Sequence, residues 1–398
     1  VSIKLLVVVD HIGKDIKNGT WEFAYKFAKY ASESIDVTII TFRPDNMSEL
    51  PEYEEEDNLK IYRFDKGKLF IPTIRKISHD IAFVHTTKSF AVYRVSIGLK
   101  KKPIISMIQG TSYLERLINV MGKDLKYYAL RLFEIYRIAT SDALFFASKY
   151  MMFNSVRDFA AFRKSTYLPL AVDYPVKKLI ISKEEIHIKK MIEEDLKNGY
   201  KIIFCIRRIV SRTGVLHLVD MMNFLKDYNV KLYLGGTGTH LEALKNKVEE
   251  NGLSDRIKVL GFISDEAKNW IYRRSYLSIV PTRTLEGFCI SMLESMNYGC
   301  PPIVTPIGGM FEFMKDNDLL ELVTSGITAQ QMAKKVEYFI KDKGKRDLYS
   351  KKCKEVAAKH NYDDITKRFV LEMTYMLERA GKLINFKDEV NSAIVKRV

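Results

Sequence analysis

The fold is decided by residues 275–305. They open with Ser275-Tyr276-Leu277-Ser278-Ile279-Val280, a strand-like run ended by Pro281. They continue through Glu286-Gly287-Phe288-Cys289-Ile290-Ser291-Met292-Leu293-Glu294 to a helix-stopping Gly299, and close on Pro302-Ile303-Val304-Thr305. Short apolar runs bounded by proline and glycine read as buried strands, and the interval between them holds a loop and a helix. The segment is thus strand, loop, helix, strand, the crossover unit of a parallel sheet. Glu286 falls in the loop, and Glu294 two turns into a helix expected to start near Gly287. By spacing alone, the two acids also fit an ordinary amphipathic helix with two exposed carboxylates.

The pattern extends in both directions. Before residue 175, apolar runs at Lys4–Val9, Val37–Thr41, Ile81–Val84, Pro103–Ile108, Ala143–Ala147 and Thr166–Pro169 alternate with helical stretches, among them Trp21 to Ala28 and 123–139. Residues 174–200 are charged and read as a linker followed by a solvated helix. A second series then begins with Lys201–Ile206 and continues through Val230–Leu234, Ile257–Leu260, Tyr276–Val280 and Pro302–Thr305. Such alternation predicts an α/β fold with parallel, doubly wound sheets. A length of 398 residues exceeds what one core usually serves, so two domains are expected. The acidic run Pro51 to Asp57 reads as an exposed loop.

In that setting residues 286–294 resemble the E-x(7)-E signature of family-four (group 1) retaining glycosyltransferases of the GT-B superfamily. Three further landmarks fall in that family's order. Phe204-Cys205-Ile206-Arg207-Arg208-Ile209-Val210-Ser211-Arg212-Thr213-Gly214 is similar to its strand-end motif, in which Gly-Arg precedes four residues and Lys-Gly. Leu234-Gly235-Gly236-Thr237-Gly238 is a strand ending in a glycine turn, and Val259-Leu260-Gly261-Phe262-Ile263-Ser264-Asp265-Glu266 matches an L-G-F stretch whose Ser264 suits a helix cap. Thr305-Pro306-Ile307-Gly308-Gly309 continues the opening motif.

The resemblance implies two Rossmann-like domains facing across a cleft. Residues 1–175, joined by a C-terminal helical tail 363–398 that crosses back, would bind the acceptor; residues 176–362 would bind a nucleotide sugar. By the same resemblance Glu286 and Arg208 are the catalytic candidates, Glu286 on the transferred sugar and Arg208 on the departing diphosphate, where cationic partners offset growing charge. Donor contacts are expected from Gly19, Arg212, Thr213, Gly236, Gly238, the Gly287-Phe288-Cys289-Ile290 backbone, and Glu294 on the ribose hydroxyls. Gln109, Gly110 and His11 fall on the acceptor and sugar side. Three positions depart from the pattern: Arg207 replaces a glycine, Thr213 a lysine, and Gln109 a histidine. Cys289 replaces a further glycine, at a position expected to work through its backbone.

The activity implied is transfer of a sugar from a UDP- or GDP-sugar to a glycan, lipid or other acceptor with retention of configuration, with no further cofactor and no metal. Asp316-Asn317-Asp318 reads as a chance match to a metal motif. The alternative implied by the departures is a weak or inactive nucleotide- or sugar-binding protein on the same fold. His11 and His85 stand near strand ends, where packed or surface histidines outnumber catalytic ones.

Composition sets outer bounds. Four scattered cysteines without a C-x-x-C pair favour a reducing compartment. The apolar run Leu5–Val9 is shorter than a signal-peptide core, so a cytoplasmic location is expected. A net charge of +15 has mild maxima at residues 101–150 (8 basic, 4 acidic) and 351–398 (11 and 7). It suits an anionic membrane surface, a nucleic acid or a phosphorylated substrate, and equally a solvated lysine-rich surface. The basic–aromatic helix around Lys123, Lys126, Tyr127, Tyr128, Leu130, Arg131 and Leu132 suits peripheral attachment and, as well, core packing of its apolar face. No compact basic helix points to nucleic acid, which is disfavoured as a partner.

Overall fold

The computed structural model describes residues 3–12, 15, 19–45, 47–65, 76–85, 102–109, 124–156, 164–176 and 181–379. The chain forms two compact units, Val1–Ala171 with Tyr362–Val398, and Val172–Asn361.

The first unit contains β1 (Lys4–Val8), α1 (Gly19–Ser32), β2 (Asp36–Phe42), β3 (Tyr53–Glu56), β4 (Leu59–Phe64), β5 (Ile81–His85), β6 (Ile104–Ile108), α2 (Leu125–Thr140), β7 (Ala143–Phe146), α3 (Lys149–Val156) and β8 (Ser165–Tyr167). Its sheet has the order β3-β4-β2-β1-β5-β6-β7-β8. Every pairing is parallel except β3 with β4. β5 and β6 are buried at every position, as strands covered on both faces must be.

The acidic run expected to be a loop is in fact the edge strand β3, turned back onto β4 at Asp57, whose φ is +52°. An edge strand keeps one side in water, so glutamates are tolerated there. A cross-strand pair, Tyr53 on Tyr62 at 4.9 Å between ring centroids, helps fix its register.

The second unit contains α4 (Ile186–Lys197), β9 (Lys201–Ile206), α5 (His217–Asn223), β10 (Val230–Gly235), α6 (Leu241–Glu250), β11 (Ile257–Gly261), α7 (Asp265–Arg274), β12 (Leu277–Val280), α8 (Ile290–Asn297), β13 (Pro302–Val304), α9 (Gly308–Asp316), α10 (Ala329–Lys341) and α11 (Lys343–Ala358). Its five parallel strands are ordered β11-β10-β9-β12-β13. α4 corrects the expected solvated helix: Ile188 and Ile192 are buried in one cluster with Ile202, Phe204, Trp270 and Ile271. Its charges occupy the opposite stripe, which hid the apolar one.

After Asn361 the chain enters α12 (Tyr362–Arg379), which belongs to the first unit. There Phe369 packs at 4.7 Å from Phe27 and 4.8 Å from both Phe83 and Phe145, measured between ring centroids. Burial of these large rings is what ties the last helix to the sheet.

In the second sheet the chain runs outward from β9 to β10 and β11, then returns to β12 on the other side of β9. Strand order reverses between β9 and β12, and ligands of open α/β sheets bind beyond the carboxyl ends of strands at such a reversal. Residues 207–214 leave β9 there, and residues 281–289 leave β12.

Candidate functional site

The backbone keeps pairing beside β10 after β9 ends, until a tight turn at Ile209 where Val210 N bonds Arg208 O at 3.1 Å. Arg207 N donates to Gly235 O at 3.1 Å, and Ile209 N to Thr237 O at 2.8 Å. Successive side chains therefore point to opposite sides. Arg207 turns inward and Arg208 outward to the exposed surface. The close approach of these strands explains the glycine turn. A Cβ at Gly236 would lie 1.9 Å from Arg207 O, and one at Gly238 would lie 2.3 Å from Ile209 O. Both glycines thus have a packing reason to be glycine.

Residues Ser211–Thr213 form a 3-10 turn closed by Gly214 at φ +72°. A Cβ on Gly214 would meet Pro281 O at 2.0 Å, so this turn lies directly on the segment leaving β12. Arg283 N bonds Arg212 O at 2.9 Å, and Arg212 Nη1 bonds Leu285 O at 3.1 Å. Thr213 is buried, and its hydroxyl is shared between Arg208 O and Val210 O, each at 2.7 Å. The residue at the family's lysine position thus braces the loop from inside and presents no charge.

Glu286 lies between these two segments. Arg207 Nη2 bonds and ion-pairs with Glu286 Oε2, and donates to Thr282 Oγ1 at 3.2 Å. Arg207 Nη1 contacts Cys289 Sγ. Arg212 Nη1 stands 3.9 Å from the same carboxylate oxygen. Burial would raise the Glu286 carboxyl, but Arg207, Arg212 and Arg208 outweigh it and hold the group below its ordinary range. Among the described residues none donates to Oε1, which leaves one acceptor oxygen unbonded.

Glu294 is arranged in the same way. Its Oε1 accepts from Lys268 Nζ at 2.7 Å, and Lys268 also bonds Asp265 Oδ1 at 2.8 Å. Burial would lower the Lys268 ammonium, but Glu294 and Asp265 together raise it. Oε2 of Glu294 accepts from no described residue. Nothing in the sequence reading marked Lys268; the only signal available was its three-residue spacing from Asp265 on α7.

Two local expectations change. α8 starts at Ile290, three residues later than Gly287, so Glu294 stands a single turn in. The delay comes from Cys289, whose φ of 72° and ψ of 85° cannot join a right-handed helix. Glycine would take that conformation without strain, so the cysteine carries a local cost. Phe288 is buried with its ring 5.1 Å from Phe313, which leaves only backbone at this position for any ligand.

In the first unit, Gly19 is the first residue of α1. His11 Nδ1 lies 3.1 Å from Phe42 O, and its ring is edge-on to Trp21 at 4.8 Å. Gln109 directly follows β6 and is half-buried. Gly110 lies outside the described residues, as do Gly13, Lys14, Lys17 and Lys123. His85 is buried against Phe23 and Phe83, and neither ring nitrogen has a hydrogen-bond partner. Burial, reinforced by Arg137, pushes its pKa down to about 3. Among the described residues no group of three or more His, Cys, Asp or Glu side chains could hold a metal ion. Likewise no described helix is long and apolar enough to cross a membrane.

The glycosyl transferases group 1 family matches residues 187–357, the segment that carries both glutamates and all three arginines. The chain has the GT-B fold, and the family resemblance extends over that segment of the second unit. An uncharacterized glycosyltransferase, MJ1607 of Methanocaldococcus jannaschii, is 24% identical over 201 residues, covering 50% of each chain. The chain thus spans about half the length of that curated relative. Sucrose-phosphate synthase from Thermosynechococcus elongatus superposes with a TM-score of 0.73 at 16% identity, over 94% of this chain and 100% of its own. HepE of Anabaena, solved with UDP-glucose, gives 0.73 at 15% identity, over 93% and 99%.

Proposed function

We propose that this chain transfers a hexose from a nucleotide-sugar donor to an acceptor with retention of anomeric configuration. The observation that carries the reading is the matched state of Glu286 and Glu294. Each is held by a largely enclosed cation through one oxygen, and among the described residues none donates to the other, as suits a group that accepts a sugar hydroxyl. In this reading Glu286 binds the transferred sugar and Glu294 the ribose. Arg208 and Arg212 offset the charge that grows on the leaving diphosphate. The second unit would be the donor domain and the first the acceptor domain. HepE's complex with UDP-glucose favours a UDP-sugar as the first donor to test.

The test is transfer and donor hydrolysis across a panel of nucleotide sugars, comparing wild type with Glu286→Ala and Arg208→Ala. Undiminished turnover in both variants would remove the site assignment. A second reading, a binding protein of little turnover, is favoured by the inward-turned Thr213. Calorimetric binding of a nucleotide sugar with no transfer to any acceptor would select it.

The acceptor in this reading is a glycan or a lipid-linked glycan at an anionic membrane surface. Support comes from α2, where Leu125, Tyr128, Leu132 and Tyr136 are exposed along one stripe beside exposed Lys126. Absence of binding to phosphatidylglycerol vesicles at low salt would remove the membrane component.

A further inference from the structure

Arg207 occupies a position where the family pattern has glycine, so what its side chain does is not supplied by that pattern. Three of its N–H groups are already placed, on Cys289 Sγ, Thr282 Oγ1 and Glu286 Oε2. Its side chain is 10% exposed and that of Glu286 12%. A guanidinium fixed on this many sides is poorly suited to swing onto a phosphate, and the strand pairing of this backbone sends the neighbouring Arg208 the other way.

We propose that Arg207 is a positioning residue of the donor-sugar site: it locks one oxygen of Glu286 and so presents the other to a hydroxyl of the transferred sugar. The inference rests on the donor-binding reading given above. Its physical content is twofold. The ion pair restricts the carboxylate rotamer, so a sugar hydroxyl meets a fixed acceptor and does not have to order one. It also keeps a desolvated carboxylate ionised, because an acceptor of hydroxyl protons must not itself carry a proton. The groups facing Glu286 are Arg207 from the end of β9, Arg208 and Arg212 from the following loop, and Cys289 from the loop before α8. With Arg207 gone, burial is opposed by Arg212 at 3.9 Å and by the exposed Arg208.

The sequence pattern supplies the first variant, Arg207→Gly, which restores the family residue. Arg207→Lys keeps the charge, and Arg207→Gln keeps the bulk should the glycine variant fail to fold. Full-length protein is titrated by calorimetry with UDP and UDP-glucose, and with GDP and GDP-glucose. Transfer is followed from pH 4.5 to 8 with whichever sugar nucleotide the wild type uses. For Arg207→Gly we expect UDP or GDP to bind within about threefold of wild type. The gain in affinity from the attached sugar, and kcat/KM, should fall about 10- to 100-fold, the worth of one charge-assisted hydrogen bond. The acidic limb of the pH profile should move upward, and Arg207→Lys should return part of that shift.

Equal weakening of diphosphate and sugar nucleotide would overturn the proposal and make Arg207 a phosphate ligand. An unmoved pH limb with unchanged kcat/KM in all three variants would also overturn it, leaving the donor-binding reading intact. A wild type that binds none of the four ligands removes both together.

Discussion

Arg63 in the first unit and Arg207 in the second are each enclosed against a carboxylate, and the two pairs are built differently. In the first unit Arg63 meets Asp15 through two bonds, Nε to Oδ2 at 2.8 Å and Nη2 to Oδ1 at 3.0 Å, and also reaches Glu54 at 2.9 Å. Both Asp15 oxygens are used, and the side chains are 0% and 1% exposed. In the second unit Arg207 takes one oxygen of Glu286, and no described residue donates to the other. A closed pair is complete within the protein and serves the fold alone. A pair that uses one carboxylate oxygen at a strand-order reversal keeps the second available to a ligand hydroxyl. The available acceptor, more than the ion pair itself, separates a site from a strut.

The comparison breaks first if the two pairs respond alike to truncation. Asp15→Ala should cost about 3–5 kcal/mol of stability, because it removes the bidentate partner of the buried Arg63 guanidinium and leaves only Glu54 to offset its charge. Denaturant unfolding measures this, and nucleotide binding by the residual folded protein should be normal. Glu286→Gln should show the reverse pattern. It should cost clearly less stability than Asp15→Ala, because the amide oxygen can still accept from Arg207, while transfer falls about 100- to 1,000-fold, as when an aimed polar group is lost from a transition state. A large stability loss at Glu286 with intact transfer would make it a second strut.

How much of this was legible beforehand follows from what residue type can encode. The crossover from β12 through α8 to β13 was readable because apolar runs and Gly299 punctuate it, and the two glutamates because a fixed spacing survives in sequence. The start of α8 was not readable, since a cysteine does not announce a left-handed backbone. The buried stripe of α4 is masked in the sequence, where Ile188 and Ile192 are interleaved with lysines and glutamates. Arg207 was read as a loss of glycine. Its partnership with Glu286, 79 positions away, exists only once β9 and β12 are adjacent. Lys268 under Glu294 was hidden for the same reason: the second unit's cations are assigned to carboxylates by the sheet order, which no local pattern states.

A third buried ionisable group sharpens the contrast, because neither ring nitrogen of His85 has a hydrogen-bond partner. Its folded pKa near 3 lies below the ordinary 6.5, so the unfolded chain binds the extra proton between those values. Stability from this group is therefore present above pH 6.5 and lost as pH falls toward 3, at up to about 1.4 kcal/mol per unit. Glu134 acts with the opposite sign. Burial, only partly offset by Arg137, raises its pKa from 4.5 to about 7, so its contribution is lost as pH rises through that window. Between 4.5 and 6.5 the two slopes cancel in part. His85→Leu should remove the acid-side slope and expose the one from Glu134. Parallel stability curves for wild type and variant from pH 4 to 7 would show that His85 is not buried as a neutral ring.

The smallest expected effect tests whether the half-open pair was assembled at a local cost. Cys289 combines a left-handed φ of 72° with a thiol against Arg207. Cys289→Ala removes the thiol and keeps the strain, whereas Cys289→Gly removes both. The left-handed conformation costs a residue with a Cβ roughly 1–2 kcal/mol, and glycine gives back roughly 0.5–1 kcal/mol through its freer unfolded chain. The glycine variant should therefore be more stable than the alanine variant by about 0.5–1 kcal/mol in denaturant unfolding. If the alanine variant is the more stable, the backbone at 289 is relaxed, and the late start of α8 needs another cause. If the glycine variant is the more stable, a residue whose Sγ touches Arg207 is being kept at the expense of the fold, as is expected where a contact is maintained for the site.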